Sequence, residues 1–551
     1  VTMNFTVSNL PMFDLNLNDV VFRENEACIS LKSKNRKKIR ISMTNSTFIH
    51  NGPGESPTSS LSSILWLNGR ESTINIRLTT FTFEKNILGK AGMIYVENSE
   101  GWTNLTFVQF KMEKNGRINA TQRIPNDLLC IHSGQVIVIL EFGFVYKTHG
   151  TLLVVKSFSS NINVSNTEVV NFYSSDFVGG VIYLNATLSA FVRIRNSSFR
   201  NGKNVLYGGV VGILASTVKF IIEDTTFQKN SAKLHGAALF LVVNKTAAIC
   251  LRNVHFIENT AGFGGIVHVR PKSSSKNSTF NFTTNNVWLV KNKVNGLLHY
   301  PMGILYLWIQ TYTSNLYFRN THFTGNIGGK SSALFLLLPN NTKQLYFVTL
   351  DTCIFKKNKA DGGAMLIADK AILILKNSTF DSNIHSPCQR PSIYITLNDS
   401  EFTISNSKFI NNSCGALSIS ISESSYFKTE NSIFFGNREI NASGGAMAIF
   451  IKKANLDETQ RRFGTSKYNV LIKNVSFQGN IASRASVLYI VNGKVELQNC
   501  TFLNNFSLKG GQIISFGSTD MKISNSVFKE TVNKDLFTNG RSYTAKGFVT
   551  I

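Results

Sequence analysis

Glycoside hydrolysis needs two carboxylates about 5 to 10 Å apart, one to protonate the leaving oxygen and one to attack or to activate water. The candidate pair in this chain is Asp361 and Asp381, with Asp361 standing alone ahead of a Gly pair. Asp224 and Asp351 sit where Asn recurs elsewhere, and Glu168, Glu223, Glu258 and Glu401 occupy unrelated slots. No Gly-x-Ser-x-Gly, His-Glu-x-x-His or Asp-x-Asp arrangement occurs, and the 9 His are scattered without ligand spacing. No catalytic residue, metal ligand or cofactor site is therefore assigned, and a polysaccharide lyase or glycoside hydrolase is the second reading of the chain.

Charge gives a different lead. Lys and Arg number 57 against 32 acids, a net charge of +25, and a field of that size draws acidic glycans, anionic lipid surfaces or nucleic acid. The dense run is Lys32, Lys34, Arg36, Lys37, Lys38 and Arg40. It reads as a solvated loop or as a patch for a heparin-like anion. No nucleic-acid-binding motif accompanies it, so nucleic acid is not an expected partner.

Asn-x-Ser/Thr acceptor sites for N-glycans point outside the cell. Ten fall between or beside the repeated phrases described below: Asn104, Asn119, Asn163, Asn185, Asn244, Asn277, Asn281, Asn340, Asn398 and Asn441. Asn45, Asn196, Asn377, Asn474 and Asn499 lie inside a repeated phrase and are read as structural, and Asn4, Asn411 and Asn505 complete the set. The 7 Cys show no C-x-x-C spacing. Cys388 and Cys414 lie in loops one repeat apart and could bridge, whereas Cys353 and Cys500 read as buried thiols. The apolar stretches 136–140 and 303–309 are strand-length, far short of the roughly 20 residues of a spanning helix. Membrane contact is thus expected only through segments outside this chain. Strand-like residues at both ends predict that the natural protein continues beyond at least one of them.

The elements that would position all this repeat every 25 to 30 residues or so, a period that marks a solenoid. One phrase is Asn or Asp, two small residues, Phe, two variable residues and Asn, as in Asn45-Ser-Thr-Phe48-Ile-His-Asn51 and Asn377-Ser-Thr-Phe380-Asp-Ser-Asn383. Its Phe recurs at Phe22, Phe227, Phe256, Phe323, Phe355, Phe409, Phe434, Phe477, Phe502 and Phe528. Looser copies fall at Phe83, Phe110 and Phe199, and aliphatic stand-ins near Leu140, Val169 and Leu289. A Gly pair or Gly-Ala with an apolar run follows each phrase, as at Gly179-Gly-Val-Ile and Gly236-Ala-Ala-Leu, and then comes an alternating stretch such as Phe402-Thr-Ile-Ser405.

Period-two alternation, β-branched and aromatic residues and frequent Gly and Asn argue against helix. Without hairpin turns or four-strand blades, the pattern fits one continuous right-handed parallel β-helix over 1–551, with about eighteen coils of three short strands. Residues 452–468 form a polar loop insertion. Alternation turns Phe and the residue two before it inward, and that second slot holds Ser46, Thr225, Val254, Cys353, Ser407, Val475, Cys500 or Ser526. Asn at the corners tolerates left-handed backbone, and stacked amides would align into ladders.

The paired phrases Phe355-Lys-Lys-Asn358 with Gly362-Gly-Ala364, Phe434-Phe-Gly-Asn437 with Gly444-Gly-Ala446, and Phe256-Ile-Glu-Asn259 with Gly264-Gly-Ile266 resemble the repeats of the chlamydial polymorphic outer membrane proteins. The resemblance covers nearly the whole chain and implies an adhesive, surface-exposed β-helix of the pectin-lyase-like superfamily. The strongly basic charge departs from that family, and no translocator barrel is recognisable. The expectation is a non-catalytic extracellular or cell-surface scaffold that contacts acidic glycans or other surface proteins.

Overall fold

The computed structural model describes the chain apart from residues 1–2, 8–10, 25–28, 34–36, 52–62, 87–91, 116–126, 175–177, 205, 272–277, 296–302, 310–312, 330, 339–344, 361–362, 364, 369–370, 386–390, 399, 453–467, 530–536, 539–542 and 546–551. No helix occurs among the described residues. Two compact units, Val1–Ser274 and Ser275–Ile551, are each a parallel β-solenoid, and the number of turns is close to the eighteen that the repeat predicts.

Each turn begins with the strand that follows the Gly pair, passes into the alternating strand and ends on the short strand that carries Phe. In the first unit the strands often run on through the corners, as in Val211–Gln228 and Leu239–Ile257. In the second unit many stay separate, as in Ile393–Leu397, Glu401–Ser405 and Lys408–Ile410, although Thr279–Val290, Thr313–Thr324, Leu488–Gln498 and Ile513–Ser524 also run on. Sequence reading anticipates three strands per turn. The structure adds a fourth, two-residue strand just after the second Asn, as at Ser231–Ala232 and Thr260–Ala261.

The turns pair in register, so like sits on like. On the middle strand of the first unit Ile41, Ile76, Leu105, Val138, Ile162, Val192, Phe220 and Ile249 form one column. None of the eight is more than 2% exposed. In the second unit, rings from Phe323 through Phe355, Phe380, Phe409, Phe434, Phe477 and Phe502 to Phe528 stack face to face at 4.3–5.4 Å. Burying each ring contributes roughly 1.5–3 kcal/mol, and offset stacking adds about 0.5–1.5 kcal/mol. The small residue two before each Phe is buried as expected. Where that residue is Ser, its hydroxyl can accept a backbone N–H from the preceding turn, as from Cys353 N–H to Ser378 Oγ at 3.0 Å and from Ser378 N–H to Ser407 Oγ at 3.2 Å.

Two sequence assignments shift. Met112, not Phe110, lies in register between Phe83 and Val145, and Val145, not Leu140, continues that column to Val169. Phe110 lies instead in register between Phe81 and Gly143. A Cβ on Gly143 would fall 2.1 Å from the Phe110 ring, so glycine there makes room for it.

The two Asn of the phrase also separate. The first takes the left-handed corner, with φ of 50° at Asn45, 46° at Asn196 and 52° at Asn377. The second lies inside. Asn51, Asn86, Asn115, Asn230, Asn259, Asn292, Asn326, Asn358, Asn383, Asn412, Asn437 and Asn480 are all 0% exposed. In this inner row Asn383 donates from both its backbone N and Nδ2 to Asn412 Oδ1, at 3.2 and 3.0 Å, and from Nδ2 to Phe355 O at 2.9 Å. Asn412 repeats the pattern toward Asn437 and Phe380. Both N–H groups and both lone pairs of each amide are therefore used, which an uncharged side chain with donors and acceptors alone allows. In the first unit the row lapses over three turns at Thr148, Phe172 and Gly202. A Cβ on Gly202 would sit 1.9 Å from the Phe172 ring, so the ring fills the space that amides fill elsewhere.

The Gly pairs have two jobs. Gly179, Gly208 and Gly236 have φ of 77°, 62° and 67°, in the left-handed region that glycine enters without penalty. Gly209 has ordinary φ, but a Cβ there would lie 2.1 Å from Ala237 O in the next turn. Gly209→Ala is therefore expected to lower the thermal midpoint more than Gly479→Ala, which meets nothing within 4 Å and carries only the left-handed penalty of about 1–2 kcal/mol. Equal shifts for the two variants would refute the close-approach explanation.

Most of the predicted insertion, 453–467, lies outside the described residues. The strands beside it keep register, with Phe427 opposite Val470 and Phe434 opposite Phe477.

Candidate ligand cleft

Five of the eight acids weighed for catalysis are tied to cations of neighbouring turns. Lys356 Nζ lies 3.0 Å from Asp381 Oδ2. Burial pushes Asp381 up, but the Ser382 hydroxyl and the Lys356 ammonium outweigh it and hold the carboxyl below its usual range. Asp361 lies outside the described residues. Asp351 takes Lys376 at 3.3 Å and the Asn377 amide at 3.1 Å. Glu168 takes Arg200 at 2.9 Å, Glu223 takes Arg193 at 2.7 Å and Arg252 at 3.4 Å, and Glu258 takes Lys229 at 3.7 Å. Asp224 accepts from Asn253 at 2.8 Å. Glu401 is half-buried and pairs in register with Ile372 and Tyr426. Among the described residues no group of three or more His, Cys, Asp or Glu is arranged to hold a metal ion.

The basic run is divided. Lys32 is exposed on Ile29–Ser33, while Lys38 and Arg40 are exposed on Lys38–Thr44, the next strand of the turn. Lys37 is half-buried, and Lys34 and Arg36 lie outside the described residues.

Of the ten candidate acceptor sites, Asn185 and Asn281 are exposed, and Asn104, Asn163, Asn244 and Asn398 are half-buried. Asn441 lies on the strand Arg438–Ser443, and Asn119, Asn277 and Asn340 lie outside the described residues. Cys414 is disulfide-bonded, and its proposed partner, Cys388, also lies outside. Cys353 and Cys500 are buried thiols, which burial pushes up to about 12 and about 11, the signature of inert cysteines.

In the second unit the outward side of the first strands opens into a cleft of about 410 Å³. Four strands build it: Ile393–Leu397, Leu417–Ser422, Met447–Lys452 and Leu488–Gln498. Register sets Ser418 between Tyr394 and Ala448, and Ser420 between Thr396 and Phe450. The two serines are 7% and 8% exposed and floor the cleft, Tyr394 and Phe450 wall it, and Lys452 and Asn492 stand on its rim. The Phe450 ring leans on Tyr489 with centroids 5.8 Å apart and keeps 37% of its surface exposed. Hydroxyls below, aromatic faces beside and an ammonium at the edge suit a polar ring with apolar C–H faces and an anionic substituent. No carboxylate is among the lining residues.

Sequence reading missed this cleft. Its signal was present in Leu417-Ser-Ile-Ser-Ile-Ser422, where small polar residues take outward slots that Tyr394 and Phe450 fill in adjacent turns.

In the first unit an aromatic row lies along the outward side of the first strands and the residues just before them. Tyr207 stacks on His235 at 5.5 Å, His235 lies 4.7 Å from His268, His268 stacks on Phe240 at 5.4 Å, and Arg270 sits 5.4 Å over Phe240. Burial, reinforced by Arg270, pulls His235 down to about 4, and burial beside His235 and Arg270 pulls His268 well below the usual range.

Comparison of the chain with known protein families and with curated proteins returned no match. The class of protein stands on the fold alone, a parallel β-solenoid.

Proposed function

We propose that this protein is a non-catalytic extracellular scaffold whose solenoid presents its outer surface for contact with acidic glycans. The cleft of Tyr394, Ser418, Ser420, Phe450 and Lys452 carries the reading, because it offers stacking, hydroxyl and cationic groups together and no carboxylate pair for hydrolysis. The excess of 25 positive charges supports it, since a field of one sign raises the local concentration of polyanions. The resemblance of the phrases to chlamydial surface β-helices points the same way, toward adhesion. Against the lyase or hydrolase alternative, the Asp381 carboxylate is held in an ion pair with Lys356.

The test is retention of the full chain on a sulfated polysaccharide column, eluted with salt. Retention should weaken steeply as salt rises, as screening shortens the reach of surface charge to about 8–10 Å. Ser420→Phe fills the floor and Phe450→Ala removes a wall, and each should cut affinity for a defined sulfated oligosaccharide about tenfold, ~1.4 kcal/mol. No retention at any salt, or full affinity in both variants, would overturn the assignment.

A further inference from the structure

Five sequons sit inside the repeated phrase, where they read as by-products of an Asn-rich repeat. Their geometry says otherwise. Asn45, Asn196, Asn377, Asn474 and Asn499 all occupy the exposed left-handed corner before the Phe strand, with φ of 50°, 46°, 52°, 52° and 51°. We propose that this corner is the N-glycan edge of the solenoid and that these five Asn are its acceptors. The inference rests on the extracellular reading above.

The amide chemistry fits. At the corner Nδ2 donates to the preceding turn: Asn377 to Asp351 Oδ1 at 3.1 Å, Asn474 to Asn431 Oδ1 at 3.1 Å, Asn499 to Asn474 Oδ1 at 3.1 Å and Asn196 to Asn166 Oδ1 at 3.4 Å. A primary amide has two N–H groups, and this row uses one. In transfer from a lipid-linked diphospho-oligosaccharide, the bond from sugar C1 to the diphosphate oxygen breaks, the Nδ2–C1 bond forms and one amide proton leaves. The other N–H remains for the row. The required hydroxyls, at Thr47, Ser198, Thr379, Ser476 and Thr501, are on the outward slot just before Phe and are partly or fully exposed.

Three of the other sequons are worse placed. Asn104 donates to Asn75 Oδ1 at 2.7 Å from a half-buried strand position, and its own Oδ1 is shut off from solvent. Asn163 has the same shielded Oδ1. Asn505 belongs to the inner row: it is 2% exposed, and its Nδ2 donates to Phe477 O at 3.0 Å. A sugar on Asn505 would have to lie inside the solenoid. The corner also sets its own limit. Asn474 and Asn499 are on consecutive turns, which rise by about 4.8 Å, too little for two glycan cores side by side.

The experiment is secretion of the full chain from a eukaryotic host, enzymatic glycan release in heavy-oxygen water and peptide mapping of the labelled sites. Expected are glycans at Asn45, Asn196 and Asn377, at either Asn474 or Asn499 but not both in one molecule, and none at Asn505 in folded protein. Asn499→Gln should raise occupancy at Asn474. Empty corners beside occupied Asn104 and Asn163, or double occupancy of Asn474 and Asn499, would overturn the proposal. Protein from its natural source separates the two claims. If it is bare while the secreted chain is glycosylated at the corners, passage of the natural chain through a glycosylating secretory route is refuted and the geometric assignment of the corner stands.

Discussion

Asn412→Asp is expected to destabilise the second unit by about 3–5 kcal/mol, the range for a buried charge left without its partner. The substitution is nearly isosteric, so packing does not explain the loss. Asn412 is 0% exposed and donates from Nδ2 to Phe380 O and Asn437 Oδ1, both at 2.9 Å. A carboxylate puts an acceptor against those two acceptors. Asn412→Ala leaves the same groups unsatisfied without adding charge, and should cost less, about 1–3 kcal/mol. The measurement is chemical denaturation, comparing midpoints at unchanged slope. Acid supplies a second check, because protonation turns the carboxylate back into a donor. The gap between Asp variant and parent should therefore close as pH falls toward the unfolded carboxyl value of about 3.9. An Asp variant as stable as the parent at neutral pH would show that the inner row does not hold the fold.

The first unit is expected to lose stability between pH 6.5 and about 4, because its imidazole row folds neutral. His235 has a native value of about 4 against an ordinary 6.5, so within that window the unfolded chain binds more protons than the folded one. Stability then falls as pH falls. The charged group facing the pair is Arg270, which adds to the cost of a second positive charge. The loss from His235 is on the order of 2 kcal/mol, reduced to the extent that water reaches its ring. His268→Phe keeps an aromatic in the stack and removes one titrating group. It should flatten the decline, measured as thermal midpoint against pH. An unchanged slope in that variant, or a parent stability independent of pH across the window, would refute the role of the row.

The fold was legible because the repeat writes it many times over. One reading of Phe380, flanked by Ser378 and Asn383, predicts the same packing at Phe355, Phe409 and Phe434, and register delivers it. Where the phrase degenerates, single copies mislead. Phe110 looks like a member of the stack, yet the rung belongs to Met112, since the spacing to Asn115 and not the aromatic ring sets the register. The two Asn of the phrase are alike in sequence but opposite in environment. The outer one takes positive φ, and the inner one lives on hydrogen bonds to turns 25 to 46 residues away. Local propensity cannot see the second kind. The cleft was illegible for a related reason: Ser418, Tyr394 and Phe450 are ordinary strand residues until stacking sets them side by side.

The inner amide row has one further consequence, for how such a chain can change length. Rungs are separated by 25 residues between Asn358 and Asn383, by 34 between Asn292 and Asn326, and by 43 between Asn437 and Asn480, yet the amide bond is 3.0–3.1 Å in each. Each rung needs only an Oδ1 above it and a backbone carbonyl below, from Phe in most turns and from Leu289 beneath Asn326. The chain between rungs can lengthen without cost to the row, and a whole turn can be gained or lost if a new neighbour supplies the same two groups. A deletion of one or two residues within a strand has no such freedom. The row thus works as a splice joint: it makes the complete turn the unit of insertion and excision, and frees the loops between to diverge.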